Sequence, residues 1–286
     1  MKNMLFDLSA KSDLQPLAGV VRPLQLEATK LGASLFLMGA AARDVMLLHA
    51  YGIDTVRLTE DMDFGVMVRD WATFEALRQA LLATGAFEAR SKDATHKLWH
   101  QSGKPLDIVP FGGVERPNRT LAWPPSEQTV FDCFGMQEAM RAGHDVRLPG
   151  GDSLLVASLP ALALLKVTAW QDRKFTQPGR DAGDLMLYLR HYLDCDKYDH
   201  AAQYYPELFE ASDYVHEVAS ARLLGRDLRQ LLDEAASDRI LQILQPEADE
   251  RGQRLLAQQS RLDAGLAVTI IAGLCDGLRQ PKRPAP

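Results

Sequence analysis

The sequence predicts an α/β (α+β) fold, with a mixed sheet flanked by helices in residues 1–150 and a helical domain in residues 151–286. Short apolar runs typical of strands alternate with helical patterns before residue 150, whereas nearly every segment after about Ser158 has helical periodicity. The Pro-Gly-Gly turn at residues 149–151 interrupts both patterns, so we expect the domain boundary there.

The first domain is expected to alternate helices and strands from its beginning. Apolar residues recur at helical spacing over residues 13–31, and Gly32 can cap that helix. A short apolar strand over residues 34–38 ends at Gly39, and a helix follows to Ala50. The remaining elements are predicted as a helix at 71–84 and strands at 63–68, 87–90, 96–101, 106–109 and 129–135.

The second domain is expected to contain helices throughout. Their apolar periodicity places them at 159–172, 182–192, 215–235, 238–244 and 255–278. The last residues, 280–286, are basic and rich in proline and are predicted to form a frayed tail.

Composition excludes several classes of protein. The chain has 286 residues, of which 47% are hydrophobic and 24% charged, as in an ordinary globular protein. A net charge of -6 argues against coating nucleic acid non-specifically. Three widely spaced cysteines form no CxxC pair, which indicates neither a disulfide framework nor a zinc site and favours a reducing cytoplasm. The N-terminus lacks signal-peptide features and no apolar run is long enough for a bilayer, so no membrane association is expected.

Two aspartates separated by one residue, Asp61 and Asp63, stand at the start of a predicted strand. Side chains two residues apart on a strand point to the same face, so these carboxylates would repel each other unless a cation lay between them. Oxygen ligands favour hard ions, above all Mg²⁺. Met62 and Phe64 would then face the opposite side, in apolar packing. A solvated acidic turn is the alternative interpretation of the pair.

Two further positions strengthen the metal-site interpretation. Asp107 is a single carboxylate in the apolar run Pro-Leu-Asp-Ile-Val, and a lone buried aspartate is unfavourable unless it is paired or ligated. The exposed face of a half-buried strand would also accommodate it. Gly39, at a strand-to-helix junction, would let the backbone approach a ligand, and the free N–H groups of the helix start can hold phosphate.

The order of these elements resembles the DNA polymerase β-like nucleotidyltransferase superfamily. Its pattern is a strand, a glycine followed by Gly or Ser, a helix, a pair of acids separated by one residue, and a third acid on a neighbouring strand. This chain has Gly39-Ala40 at the first position, so the hydroxyl that would donate one hydrogen bond to phosphate is missing. The backbone contacts to phosphate remain available.

A longer stretch is similar to a narrower family. Gly52, followed by Arg57-x-Thr59-x-Asp61-x-Asp63, resembles the AbiEii-like and MenT-like nucleotidyltransferases, which are the toxins of type IV and related toxin–antitoxin systems. The helical domain also resembles this family, in a block of Lys, Arg and Asp residues that here consists of Lys166, Arg173, Arg180-Asp181 and Asp184. Lys166 and Arg173 are seven residues apart and therefore share one helix face, where two cations suit a triphosphate. Asp181 falls where the family has an aspartate near the lysine, and it could position Lys166, assist the acceptor, or simply cap a helix beginning at residue 182.

The resemblance implies a reaction and its site residues. Two Mg²⁺ ions would bind to Asp61, Asp63 and Asp107, and a nucleoside monophosphate would pass from an NTP to a hydroxyl group in a cleft between the domains. Lys166 and Asp181 would join these three carboxylates as catalytic residues. The residues expected to bind the nucleotide are Gly39, Ala40, Arg43, Thr59, Lys166 and Arg173. The implied acceptor is a tRNA 3′ end or another cellular molecule, and the implied protein partner is an antitoxin.

Three alternatives stay open on the sequence. A small-molecule nucleotidyltransferase of the antibiotic-modifying type would share the carboxylates, and the net acidity of the chain is compatible with its acidic acceptor pocket. A non-catalytic module that binds a nucleotide or a partner would need no carboxylate cluster. A phosphohydrolase could use the same metal ions.

Overall fold

The computed structural model confirms the α/β (α+β) class. It describes residues 4–55, 59, 61–91, 94–124, 127–128, 130–210, 212, 214–249 and 251–282. The chain forms two compact units, Lys2–Ser158 and Leu159–Pro286. The first unit contains a mixed sheet with helices, and the second is helical.

Eight strands of the described chain form the main sheet, in the order β1-β9-β10-β2-β3-β6-β5-β4. Their bounds are Leu5–Asp7 (β1), Ser34–Met38 (β2), Met62–Val68 (β3), Phe87–Glu88 (β4), Lys97–His100 (β5), Pro105–Gly112 (β6), His144–Arg147 (β9) and Ser153–Val156 (β10). The central strand β3 is antiparallel to β2 and parallel to β6. A separate antiparallel pair is formed by Thr120–Ala122 (β7) and Val130–Asp132 (β8).

Four α-helices accompany the sheet in the described part of this unit. They are Gln15–Lys30 (α1), Gly39–Asp44 (α2), Trp71–Ala83 (α3) and Met136–Arg141 (α4). Helix α2 continues directly into a π-helical segment, Val45–Ala50. The predicted helix after Gly39 is therefore present, and its second half is π-helical. Apolar side chains from α1, β2, β3 and β6 are fully buried and form the core; Val20, Phe36, Phe64 and Ile108 are each 0% exposed.

The structure adds elements that the sequence pattern did not indicate: β1, β7, β9, β10 and α4. These strands have only three or four residues, too few for a clear alternation, and they are stabilised by pairing with distant segments. Strand β10 pairs with both β9 and β2, so the sheet unit extends past the turn at 149–151 to Ser158.

Seven helices form the described part of the second unit. They are Leu159–Arg173 (α5), Arg180–His191 (α6), Tyr198–Tyr204 (α7), His216–Leu231 (α8), Glu234–Leu244 (α9), Leu255–Gln259 (α10) and Ala264–Leu278 (α11). The helix predicted at 255–278 is in fact two, because the Asp263 side chain accepts a hydrogen bond from the Leu266 N–H at 3.0 Å and starts a new helix. Helix α7 was not predicted. Among the described helices, none has the length and apolar character needed to span a bilayer.

Helices α8 and α11 approach each other closely because glycines lie at their contact. A Cβ atom added to Gly225 of α8 would collide with the Leu274 carbonyl oxygen and come within 2.9 Å of the Gly277 Cα. Both obstacles are backbone atoms, which cannot rotate away. Only glycine therefore permits this helix spacing.

We expect Gly225→Ala to lower the free energy of unfolding by about 1 to 3 kcal/mol, because overpacking against backbone atoms outweighs the better helix propensity of alanine. Urea unfolding measures the change. Gly183→Ala is the matched control, since Gly183 lies in α6 with no atom near its hypothetical Cβ and should gain up to about 1 kcal/mol. Equal effects of the two substitutions would contradict the close contact of α8 and α11.

Candidate active site

Gly39 and Asp63 touch at the end of β2. The antiparallel register pairs Met38 with Asp63, and Gly39 then begins α2 with φ of +68°. A Cβ at Gly39 would overlap Asp63 Oδ2 and lie 2.8 Å from its Cγ. Glycine is therefore required twice, once for the left-handed backbone and once for the space that the carboxylate occupies.

Asp63 and Asp107 are direct neighbours across the sheet. The parallel pairing of β3 with β6 matches Asp63 with Asp107, so their side chains leave the sheet on the same face. Both residues are half-buried, while Met62 and Phe64 are buried on the other face, as the alternation predicted. Strand pairing thus brings together two carboxylates that lie 44 residues apart in the sequence.

Lys97 of β5 stands on the other side of Asp107. The antiparallel register pairs the two residues, and the Lys97 ammonium lies 3.6 Å from Asp107 Oδ1. That distance is beyond a hydrogen bond, and this buried oxygen has no hydrogen-bond partner in the described part of the chain. Asp107 thus keeps an acceptor available beside a partly compensating charge. Lys97 was not singled out from the sequence, because only the β5–β6 register brings it here.

Asp61 precedes β3 and is half-buried, like Asp63. The Thr59 hydroxyl donates a long hydrogen bond of 3.5 Å to the Asp61 carbonyl oxygen. Arg57, which belongs to the same motif, lies outside the described residues. Within the described ranges, no three His, Cys, Asp or Glu side chains are gathered closely enough to form a metal-binding group. The structure therefore brings Asp63 and Asp107 together, and the participation of Asp61 stays a prediction.

Arg43 and Ala40, both expected to contact the nucleotide, are buried in α2. Ala40 is 4% exposed, directly after Gly39. Arg43 is 2% exposed, and its guanidinium is paired with the neighbouring Asp44 at 2.7 Å. This ion pair neutralises Arg43 inside the protein, which explains its position without a phosphate.

In the helical unit, the buried residues Lys166, Asp181 and Asp184 form an ion network with the partly exposed Arg173. The Lys166 ammonium lies 3.0 Å from Asp181 Oδ1 and 2.7 Å from Asp184 Oδ2. The Arg173 guanidinium donates to both oxygens of Asp181 at 2.9 Å. Lys166 and Arg173 thus share one helix face, and both converge on Asp181.

Asp181 is 1% exposed and lies within the first turn of α6. The helix begins at Arg180 after Gly179, so the alternative that Asp181 caps a helix from residue 182 is wrong. A buried carboxylate with two cationic partners holds those partners in place. Asp181 therefore positions both Lys166 and Arg173.

The cysteines supply no nucleophile. Burial raises the pKa of Cys133 and Cys195 to about 12 and that of Cys275 to about 11. These thiols remain protonated near neutral pH, and the thiolate is the reactive form.

A glycine turn beside a strand carboxylate, with a second carboxylate on the neighbouring strand, is the part of the expected nucleotidyltransferase pattern that the structure brings together. The chain belongs to the AbiEii family, described as "Nucleotidyl transferase AbiEii toxin, Type IV TA system", which it matches over residues 26–258. No functionally curated protein is similar enough to count as a match.

Among solved structures, one that matches this chain is the solution structure of the antibiotic-resistance factor ANT(2'')-Ia. It is 13% identical, the match covers 60% of this chain and 82% of that one, and the TM-score is 0.35.

We expect Gly39→Ala to displace the Asp63 carboxylate and to abolish any metal binding there. Gly32→Ala is the matched control, because Gly32 has the same φ of +68° but no atom near its hypothetical Cβ. Both variants should lose roughly 1 to 2 kcal/mol of unfolding free energy through left-handed strain, and Gly39→Ala should lose more because its Cβ would also overlap Asp63. Only Gly39→Ala should lose stabilisation by added Mg²⁺. The same Mg²⁺ response in both variants would contradict a role for the Gly39–Asp63 contact.

We expect Lys166→Met to lower the unfolding free energy by about 3 to 5 kcal/mol, because Asp181 and Asp184 would lose a buried partner. Lys30→Met is the control: Lys30 forms a pair of similar length, 2.7 Å to Glu27, but 58% of its side chain is exposed. That substitution should cost less than about 1 kcal/mol. Adding Asp184→Asn to Lys166→Met should restore part of the loss, and a further loss of stability would refute the network.

Proposed function

We propose that this protein is a Mg²⁺-dependent nucleotidyltransferase that moves a nucleoside monophosphate from an NTP to a hydroxyl group of an RNA acceptor. The observation that carries the proposal is the contact of the Asp63 carboxylate with the Gly39 backbone, beside Asp107 on the neighbouring strand. Family membership supports nucleotidyl transfer as the reaction type.

The donor set is suited to magnesium. Asp63 and Asp107 offer hard oxygen ligands on one face of the sheet, and the buried Oδ1 of Asp107 lacks a hydrogen bond within the described residues. We propose that Asp63 and Asp107 hold the metal ions and that Asp61, which forms no three-residue group with them in the described part of the structure, joins them when the ions bind. Bound Mg²⁺ would activate the attacking hydroxyl and stabilise the charge of the leaving pyrophosphate.

The chain's own residues have separate proposed roles in this reaction. The acceptor oxygen forms a bond to the α-phosphorus as the bond to pyrophosphate breaks, and Asp107 helps to accept the hydroxyl proton. The backbone at Gly39 and Ala40 binds phosphate oxygens, and Thr59 steadies the chain that carries Asp61. Arg43 is buried and paired with Asp44, so it would reach a phosphate only by exchanging that partner, as Lys166 would also have to do.

We extend the proposal to the ion network of the helical unit. Lys166 and Arg173 are the cations that the family block assigns to the triphosphate, and Asp181 positions them. An NTP would bind to the Lys166 and Arg173 side chains, which are already ordered, and this order reduces the entropy lost on binding. Titration calorimetry of Lys166→Met with a non-hydrolysable NTP and with the nucleoside would test this: the triphosphate should lose more affinity than the nucleoside.

The proposed partners follow from the family. A toxin of a type IV toxin–antitoxin system has a cognate antitoxin, and both NTPs and tRNA are found in the cytoplasm, where we propose that the protein acts. The small-molecule alternative is compatible with the net charge of -6.

Incubation with each labelled NTP, Mg²⁺ and total cellular RNA tests the proposed reaction directly. We expect label to appear in RNA of tRNA size at its 3′ end with one NTP in particular. A parallel reaction with aminoglycosides in place of RNA tests the other acceptor class. Label on an aminoglycoside and none on RNA would refute the RNA acceptor while leaving nucleotidyl transfer intact.

Asp63→Ala should abolish transfer without unfolding the protein, because clustered carboxylates destabilise the metal-free fold. Mg²⁺ should raise the melting temperature of the wild type and not that of the variant, since only the wild type binds the ion. Asp145→Ala, an exposed aspartate on β9 of the same sheet, is the control and should behave as wild type. Equal stabilisation of wild type and Asp63→Ala by Mg²⁺ would refute the proposed site.

A further inference from the structure

The helical unit contains a cavity of about 270 Å³ bordered by α8, α11 and the 3₁₀ turn Pro206–Leu208. The charged residues of its lining are three arginines and two carboxylates: Arg222, Arg226, Arg279, Glu207 and Asp276. No residue of this cavity was singled out from the sequence. The three guanidiniums exceed the two carboxylates by one, so the lining has an excess positive charge in a chain whose net charge is -6.

The close packing of α8 and α11 makes this lining rigid. Arg222 and Arg226 are one turn apart on α8 and therefore share a face. Across from them, a Cβ at Gly277 would come within 2.8 Å of the Arg226 backbone nitrogen. This close packing fixes the backbone positions of Arg222 and Arg226. Preorganised cations bind an anion at lower entropic cost.

The carboxylates orient the arginines. Asp276 lies 3.5 Å from Arg222 and 3.2 Å from Arg279, so it draws both guanidiniums to one place. Glu207 Oε1 lies 2.6 Å from Arg226 Nη1. The Arg226 side chain is only 13% exposed, and its Nε is buried with no hydrogen-bond partner in the described part of the chain. Glu207 thus holds the Arg226 guanidinium beside the cavity, where its charge can attract an anion.

One aromatic ring contacts a cavity arginine, and two exposed rings lie on helix α7, which precedes the 3₁₀ turn of the cavity. The Arg226 guanidinium stacks over the Tyr205 ring at 4.4 Å. Tyr198 and Tyr204 of α7 are 52% and 54% exposed, and the Tyr198 ring contacts Phe209 at 5.1 Å. Exposed aromatic rings combined with a cationic groove are features with which proteins bind single-stranded nucleic acid, because any unpaired base can stack on the rings.

We propose that the arginine cavity binds a backbone phosphate of a single-stranded segment of the acceptor RNA, with the tyrosines of α7 stacking on its bases. This inference deepens the proposed function, since it names the part of the protein that holds the acceptor. The exposed tyrosines favour RNA over an NTP or an acidic protein segment, because neither of these presents a row of unpaired bases.

The first test measures binding of a fluorescent single-stranded RNA of about ten nucleotides by fluorescence anisotropy. EDTA is present, so that no transfer occurs during the measurement. Arg222→Gln/Arg279→Gln should weaken RNA binding about tenfold or more and lower the salt dependence of the affinity by about two charges. Arg251→Gln, an exposed arginine of the same unit outside the cavity, should change neither. Unchanged RNA affinity in the double variant would overturn the proposal.

Tyr198→Ala provides a second variant that leaves the cavity charges intact. It should weaken binding of single-stranded RNA several-fold and leave the salt dependence unchanged, because stacking involves no phosphate. Equal loss for a fully paired RNA duplex would overturn the stacking role. Thermal unfolding of each variant reports whether it folds.

Competition identifies the ligand class. ATP affinity should be the same in the wild type and in Arg222→Gln/Arg279→Gln; an equal loss for ATP and RNA would overturn the assignment to the acceptor. An acidic peptide that displaces RNA from the wild type at similar concentration would likewise overturn it and indicate a protein ligand. Failure of nucleotidyl transfer with RNA binding intact would count against the proposed function alone.

Discussion

The contact between the Asp63 carboxylate and the Gly39 backbone is the constraint on which the candidate active site depends. Antiparallel pairing of β2 and β3 puts Asp63 beside the residue at which β2 turns into α2. The same central strand pairs with β6 and so brings Asp107 to the same face. One strand therefore sets both the glycine turn and the carboxylate pair, and any side chain at Gly39 would disturb the two together.

Charge is distributed unevenly between the two units. In the sheet unit, Asp63 and Asp107 are neighbours on adjacent strands, and the Lys97 ammonium lies near Asp107 but beyond hydrogen-bond distance of it. Like charges held this close favour binding of a cation. In the helical unit, by contrast, Lys166 and Arg173 are matched by Asp181 and Asp184 inside the protein. The first arrangement is suited to metal binding, and the second holds its cations in fixed positions at a cost in desolvation.

Much of the fold could be predicted because its longer elements carry clear periodicity. Strand β2 and helices α1, α3 and α5 lie within two residues of their predicted bounds. Strands β9 and β10 were missed because strands of four residues show little alternation. The prediction of one continuous helix at 255–278 was wrong. Asp263 caps a new helix, but an aspartate at that position could equally belong to the polar face of a continuous helix, and periodicity does not distinguish these two cases.

The sequence by itself determined the chemical types and their local spacing: two aspartates separated by one residue, a glycine at the end of a strand, and a lysine and an arginine on one helix face. These follow from the repeat of a strand or a helix, which a few neighbouring residues fix. Only the tertiary structure decided that Asp107 adjoins Asp63, that Lys97 adjoins Asp107, that Arg43 is neutralised by Asp44, and that three arginines line one cavity. Each of these depends on register or packing between segments far apart in the chain, and no local pattern encodes the free energy that selects one register over another.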